Sequence, residues 1–334
     1  MKYDIYIACC TPDGGVAHAI LDETGDLTLC DWVKASEPMY LAWEGDQIHT
    51  LLRNDPSAPP MSGVTVLPVC ADGSLGKPGA IRTTGGEVAC HLSVVGGTVY
   101  AANYVSGSVS RIADGETVPT IVTHTGSGPH PTRQTKPHTH YIAPSPDGRF
   151  LLATDLGLDA IYTYDADLRE IAVAHVPAGH GARHLIASPD GRIVYCANEL
   201  AGTVTAFAYA DGRLTPLATV SVLPADFTGK NTTAAIRSDG RYLYVSNRGH
   251  DSIAVVETDG DGGMTLRRLV PCGGNGPRDF DLFGEYLLCT NEDSETVTVL
   301  RRQEDTLLPC GGGLSLPHPL CVIGRPITRE EPLF

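Results

Sequence analysis

"HTHYIAPSPDGRFLLATDLGLDAIYTYDAD", residues 138–167, has a form that recurs along the chain. It reads as a short apolar run, a turn centred on Asp-Gly, a second apolar run ending in an acid or amide, a loop, and a third run. The same order appears in "ARHLIASPDGRIVYCANELAGTVTAFAYADGRL" (182–214) and "TTAAIRSDGRYLYVSNRGHDSIAVVETDGDGGMTL" (232–266). It appears again in "PRDFDLFGEYLLCTNEDSETVTVLRRQED" (277–305) and, more weakly, in "CHLSVVGGTVYAANYVSGSVSRIADGETV" (90–118). The residues ending the second run are Asn103, Asp155, Asn198, Asn247 and Asn291, spaced 43 to 52 residues apart. A period of this length built from short strands marks a β-propeller with four-stranded blades, and the chain has room for roughly seven of them.

The two ends fit a closed ring. "YDIYIACC" near the start resembles a second strand, and "PHPLCVIG" near the end resembles a first strand without a sequel. A blade mixing N- and C-terminal strands would pair both and leave no open edge. The expectation is a single all-β propeller domain over residues 1–334. Composition agrees: 37 Gly and 24 Pro accompany frequent Val, Thr and Tyr, the profile of many short strands joined by tight turns.

The formal charge of -15 argues against nucleic-acid and anionic-membrane partners, which require a basic surface. "MKYDIYIACCTPDGG" lacks an apolar stretch of signal-peptide length, and no transmembrane span is evident. Of ten cysteines, Cys9, Cys196 and Cys289 fall inside apolar strand-like runs, and no pair has zinc-type CxxC spacing. A cytoplasmic protein with reduced thiols is expected.

Strand parity places the chemistry. Successive strands of a blade run antiparallel, so the start of strand one and the loop after strand two share one face, and the Asp-Gly hairpins lie on the other. His140 and Arg183 stand fifteen residues before Asp155 and Asn198, and Arg278 takes the same place in a blade whose hairpin is two residues shorter. After the second strand come Glu199, Arg248 and Glu292. His140, Arg183, Glu199, Arg248 and Arg278 should therefore converge at one mouth of the channel. A cluster of guanidinium forks in an acidic protein suggests an anionic ligand, because the fork matches carboxylate or phosphate in bidentate geometry.

His138 and His140 alternate, so both face one side if the strand begins at Pro137. Their neighbours are mainly arginines, which disfavour a metal, and acid/base or hydrogen-bonding work suits His140 better. Asn198, Asn247 and Asn291 read as loop caps. His91 and His184 are expected to face away from the mouth and to pack. His124 and His130 carry little signal, and no cysteine is expected at the mouth.

These segments, with "DGRYLYVSNRGHDSIAV" and "GPRDFD", resemble the seven-bladed propeller lactonases, a family that groups 6-phosphogluconolactonases with 3-carboxy-cis,cis-muconate cycloisomerases. The resemblance runs over essentially the whole chain and is strongest from about residue 88 to 300. It implies that the family's active-site histidine is His140 or His138, that the Arg of its "PRH" motif is Arg183 (with Ala182 in place of Pro), and that the Glu of "NEL" is Glu199. It implies further that Arg248 and Arg278 bind substrate, and that no metal or cofactor takes part. The expected function is hydrolysis of a small anionic lactone, phosphorylated or carboxylated. Arginines would hold the anion and the oxyanion, and His140 or Glu199 would activate water. The alternatives are lactone-forming muconate cycloisomerisation and a non-catalytic scaffold; the concentration of Arg, His and Glu weighs against the scaffold.

Overall fold

The computed structural model describes residues 1–328, and in these the chain forms seven antiparallel four-stranded sheets arranged as a propeller. The first blade is the closing one. Its innermost strand is Pro319–Pro326, paired with Tyr3–Cys9, then Gly15–Leu21 and Leu27–Lys34. The expected exchange of terminal strands is thus present, in continuous register from Tyr3 opposite Pro326 to Ala8 opposite Cys321.

The remaining blades follow in chain order. Their innermost strands are Pro38–Glu44, Ala89–Val95, Thr139–Pro144, Ala182–Ala187, Thr232–Ser238 and Pro277–Phe283. The last blade carries an additional short strand, Leu314–Ser315, against Thr296–Gln303.

Burial follows position in the blade. The second strands, such as Leu151–Asp155 and Ile193–Asn198, are buried throughout, whereas the outer strands, such as Glu170–His175, are largely exposed. A second strand is covered on both faces by neighbouring blades, so it reads as an unbroken apolar run rather than an alternation. Seven apolar clusters result, one at each interface between adjacent blades. The cluster that seals the ring joins Ile5, Ile7 and Val322 of the first blade to Phe283, Leu288 and Val297 of the last.

The hairpins away from the mouth repeat one device. Ser145 Oγ reaches Asp147 Oδ1 at 2.7 Å and accepts from Phe150 N at 3.0 Å, and Gly148 takes φ 69°. Ser188, Asp190 and Gly191 repeat it. Gly is needed there because a side chain at positive φ is strained.

At the other end of the second strands the asparagines act as caps. Asn198 Nδ2 donates to Thr203 Oγ1 and Thr205 Oγ1, both at 2.9 Å, and Asn103 donates to Ser108 and Ser110 at 3.1 and 2.7 Å. Asp155 cannot donate in this way. It accepts instead from the backbone of His138 and Gly157, and its Oδ2 meets His124 Nδ1 at 2.6 Å. His124 is thereby a buried strut, its Nε2 2.6 Å from Tyr164 OH, and more than the loop residue its surroundings suggested.

Ring closure through apolar packing predicts a sharp contrast between two substitutions. Val322→Asp would bury an unpaired carboxylate in the sealing cluster and lower unfolding stability by more than about 4 kcal/mol. Ile171→Ala, on an exposed outer strand, would change it by less than about 0.5 kcal/mol. Urea denaturation of both variants measures the difference.

Candidate active site

Two rings of residues, each drawn from one repeated position, build the mouth. The first lies near the start of the innermost strands, where the register with the second strand slips by a residue. The slips fall between Pro38 and Tyr40, Ala89 and His91, Thr139 and Tyr141, Ala182 and His184, and Pro277 and Asp279. The extra residues are Met39, Cys90, His140, Arg183 and Arg278. A β-bulge leaves its extra residue outside the ladder and re-aims the side chain, which is how strands of one architecture deliver such different groups to one place. The second ring stands at the ends of the second strands: Arg53, Tyr104, Glu199 and Glu292 just after them, and Arg248 as the last residue of its strand.

All of these residues except Arg183, together with Val88 and Arg133, line a cavity of about 330 Å³. Its centre is Glu199, which is 4 % exposed. Glu199 Oε2 accepts from Arg183 Nε at 3.0 Å and lies 3.1 Å from Arg248 Nη2. The latter contact is off the hydrogen-bond line and is an ion pair only. Oε1 accepts from Arg133 Nη2 at 2.5 Å. His140 Nε2 stands 3.8 Å from Oε2, and its Nδ1 lies 3.6 Å from Cys90 Sγ. On the opposite side Arg278 Nη1 donates to Glu292 Oε2 at 2.9 Å, and Glu292 Oε1 is 3.2 Å from His318 Nε2. His318 belongs to the segment that leads into the closing strand, so ring closure also furnishes part of the rim.

The electrostatics follow from this crowding. Burial alone would raise the Glu199 pKa, but Arg248, Arg183, His140 and Arg133 hold it well below the usual carboxylate range. Burial, reinforced by Arg183, pushes His140 well below the ordinary imidazole value, so its ring is neutral at pH 7. Burial, with Arg248 adding repulsion, brings Arg183 down to about 10, still cationic at neutrality. Burial raises the Cys90 thiol to about 12, leaving it protonated.

The structure brings together His140, Arg183, Glu199, Arg248 and Arg278, the five residues placed at the mouth by sequence. Arg183 lies a layer deeper than expected: it is 2 % exposed and underpins Glu199 without lining the open cavity. His138 does not line the cavity either. Its Nδ1 is 2.9 Å from the Tyr104 carbonyl oxygen, and its ring stacks on Tyr104 at 4.5 Å.

Two expectations are corrected. Cys90 does stand in the mouth, beside His140; the short hairpin of its blade puts it thirteen residues before Asn103, as Arg278 is before Asn291. His91 and His184 do not face away. The bulge shifts the parity of the strand, so their rings pack with Tyr40 and Tyr141 beneath His140, which lies 5.4 Å from His184. They are packing residues on the channel side.

Arg53, Tyr104 and Arg133 were not singled out from sequence, and Glu292 was placed after its second strand but not counted among the residues converging at the mouth. Arg53, Tyr104 and Glu292 occupy the position after the second strand and were findable from the repeat. Arg133 was not, because it sits in the connection between the blades that start at Ala89 and Thr139. Among the described residues no group of three or more His, Cys, Asp or Glu side chains is placed to hold a metal ion, and no helix is long and apolar enough to cross a membrane.

Comparison with known proteins places this geometry in a family. The family model described as lactonase, 7-bladed beta-propeller, matches residues 4–323. The Bacillus subtilis protein named 6-phosphogluconolactonase is 38 % identical over 258 residues, covering 71 % of this chain and 73 % of its own. The solved structure of a periplasmic gluconolactonase from Pseudomonas aeruginosa superimposes with a TM-score of 0.90 at 27 % identity, over 98 % of this chain and 100 % of that one. A putative 6-phosphogluconolactonase from Bacteroides fragilis gives 0.88 at 27 % identity, over 97 % and 98 %. The chain belongs to the family of seven-bladed β-propeller lactonases.

Proposed function

We propose that this lactonase hydrolyses a phosphorylated sugar lactone of the 6-phosphogluconolactone kind, without a metal. The observation that carries the reading is charge. In a chain of net charge -15, the cavity presents Arg53, Arg133, Arg248 and Arg278 against only Glu199 and Glu292. Such a local excess of guanidinium suits a substrate carrying a dianion, and Arg53 is exposed and free to meet it.

The neutral imidazole of His140 is the base in this proposal. It takes a proton from a water as the water oxygen attacks the lactone carbonyl carbon. Arg248 and Arg278 face the oxyanion of the tetrahedral intermediate, a donor of this kind contributing ~3 kcal/mol. The ring C–O bond then breaks, the proton on His140 passes to the departing ring oxygen, and the hydroxy acid leaves. Glu199, clamped by arginines, is too weak a base for the first step; its fixed charge stabilises the imidazolium that forms 3.8 Å away. Cys90, protonated and buried, serves as a neighbour of His140 and not as a nucleophile. A cytoplasmic setting belongs to the same proposal, since Cys70 is an exposed free thiol of the kind reducing compartments preserve.

Proton release on 6-phosphogluconolactone at neutral pH tests the assignment. His140→Ala is expected to lose roughly 10² to 10⁴ in kcat while Cys90→Ser remains active. The acid limb of kcat/KM should lie below the ordinary imidazole range of about 6.5, because His140 must be neutral and its pKa is depressed. Failure of folded wild type to exceed the spontaneous rate would overturn the phospholactone reading and send the enzyme to a carboxymuconate, on which the same groups would run lactone formation.

Stability supplies an independent check on Glu199. Glu199→Gln strands Arg183 and Arg248 without their counter-charge and should cost about 3–5 kcal/mol at neutral pH. Because the folded pKa is depressed, the wild-type advantage is complete above the unfolded value of about 4.3 and declines as pH falls from there toward the folded value. Urea denaturation at a series of pH values measures that gap.

A further inference from the structure

Apart from Val88, every residue lining the cavity occupies one of the two repeated positions except Arg133. It comes from residues 124–138, the connection between two blades, and this connection is rigid. Gln134 is fully buried, and its Nε2 donates to Leu156 O at 2.8 Å and Asp159 Oδ1 at 2.7 Å. Gln134 Oε1 accepts from His130 N at 2.9 Å, and His130 Nδ1 in turn accepts from Arg133 N at 3.2 Å. The backbone of Arg133 is thus fixed on both sides, while its side chain is 36 % exposed. That side chain reaches Glu199 Oε1 at 2.5 Å and Tyr104 OH at 3.1 Å.

Three arginines therefore hold one carboxylate, and they differ in freedom. Arg183 is 2 % exposed and Arg248 17 %, both on Oε2 from blade positions, whereas Arg133 alone holds Oε1 from the cavity side. Were Arg133 to leave, Glu199 would keep two guanidiniums and its charge would stay compensated. An arriving dianion would offer Arg133 a second charge-assisted partner in place of the one it gives up, so the exchange conserves a strong bond and needs only side-chain rotation.

We propose that Arg133 is the specificity-determining residue of this enzyme: it holds Glu199 in the free site and transfers its guanidinium to the charged substituent of the substrate. This rests on the lactonase reading given above and adds to it the group that selects a phosphorylated lactone over an uncharged one of the same ring. The transfer also couples selection to chemistry. Once Arg133 is drawn to the substrate, one oxygen of Glu199 loses a cation and its negative charge acts more fully on the His140 imidazolium. A lactone without the anionic substituent leaves Arg133 where it is and forgoes that gain.

The test compares wild type, Arg133→Ala and Arg133→Lys on 6-phosphogluconolactone and on glucono-1,5-lactone, after a thermal melt has shown each to be folded. Arg133→Ala is expected to lower kcat/KM on the phosphorylated lactone by roughly 10- to 100-fold, as for loss of a charge-assisted bond. Turnover of the uncharged lactone should hold or rise, and Arg133→Lys should recover part of the lost ratio. Equal losses on both lactones would mean that Arg133 merely supports the fold of the site, and no loss on either would mean that it is idle; each overturns the proposal. Should wild type turn over neither lactone, the lactone assignment fails separately. The inference is then read from titration of inorganic phosphate into the folded proteins: tenfold weaker binding to Arg133→Ala upholds an anion-selecting role, and unchanged binding ends it.

Discussion

One backbone irregularity governs the site. The innermost strand of a blade slips by a residue against its partner just below the mouth, and the slipped residue leaves the ladder for the cavity. Without it, His140, Arg183 and Arg278 would continue the strict alternation of a pleated strand, and a one-residue change of parity would send them into the interface between blades. There a guanidinium would displace the apolar contacts that hold the ring together. The bulge separates the two demands: below it the strand packs, and at it the strand presents chemistry.

The same feature explains what could be read from sequence. The period, the Asp-Gly hairpins and the capping asparagines depend on local residue chemistry, and local chemistry is legible. The exchange of terminal strands was legible too, because "PHPLCVIG" has the pattern of a first strand with no second strand after it. The five mouth residues followed from counting from the second-strand ends: His140, Arg183 and Arg278 back from Asp155, Asn198 and Asn291, and Glu199 and Arg248 one residue forward of Asn198 and Asn247. A bulge has no residue signature of its own, and there the count stopped helping. His91 and His184 were assigned to the far side by an alternation that the slip had already reset. Cys90 occupies the same bulge position as His140, but in a strand that looks apolar, and no cysteine was expected at the mouth. Arg133 obeys no repeat, and counting from an asparagine never reaches it.

Electrostatically the site inverts its host. Glu199 is buried, yet ionised, because removing a carboxylate from water is offset only by well-placed opposite charge, and Arg183 and Arg248 supply it at about 3 Å. The cations are not neutralised in return. Arginine exceeds carboxylate at the mouth, within a protein whose remaining surface is strongly acidic. The contrast focuses the field toward the channel, so an anion repelled elsewhere on the surface is drawn to one place.

The cavity thus has two kinds of wall. His140, Glu199 and Arg248, with Arg183 beneath them, stand on strands or strand ends gripped by neighbouring blades, and moving any of them would require breaking an interface. Arg133 stands on a connection that the blades do not need in order to close, although Gln134 pins it firmly. On the reading proposed above, substitutions there would alter which lactone is held without disturbing the groups assigned to its opening. A propeller with its reactive groups on repeat positions and its selective group on a connection, as proposed for this one, would change substrate while preserving its chemistry.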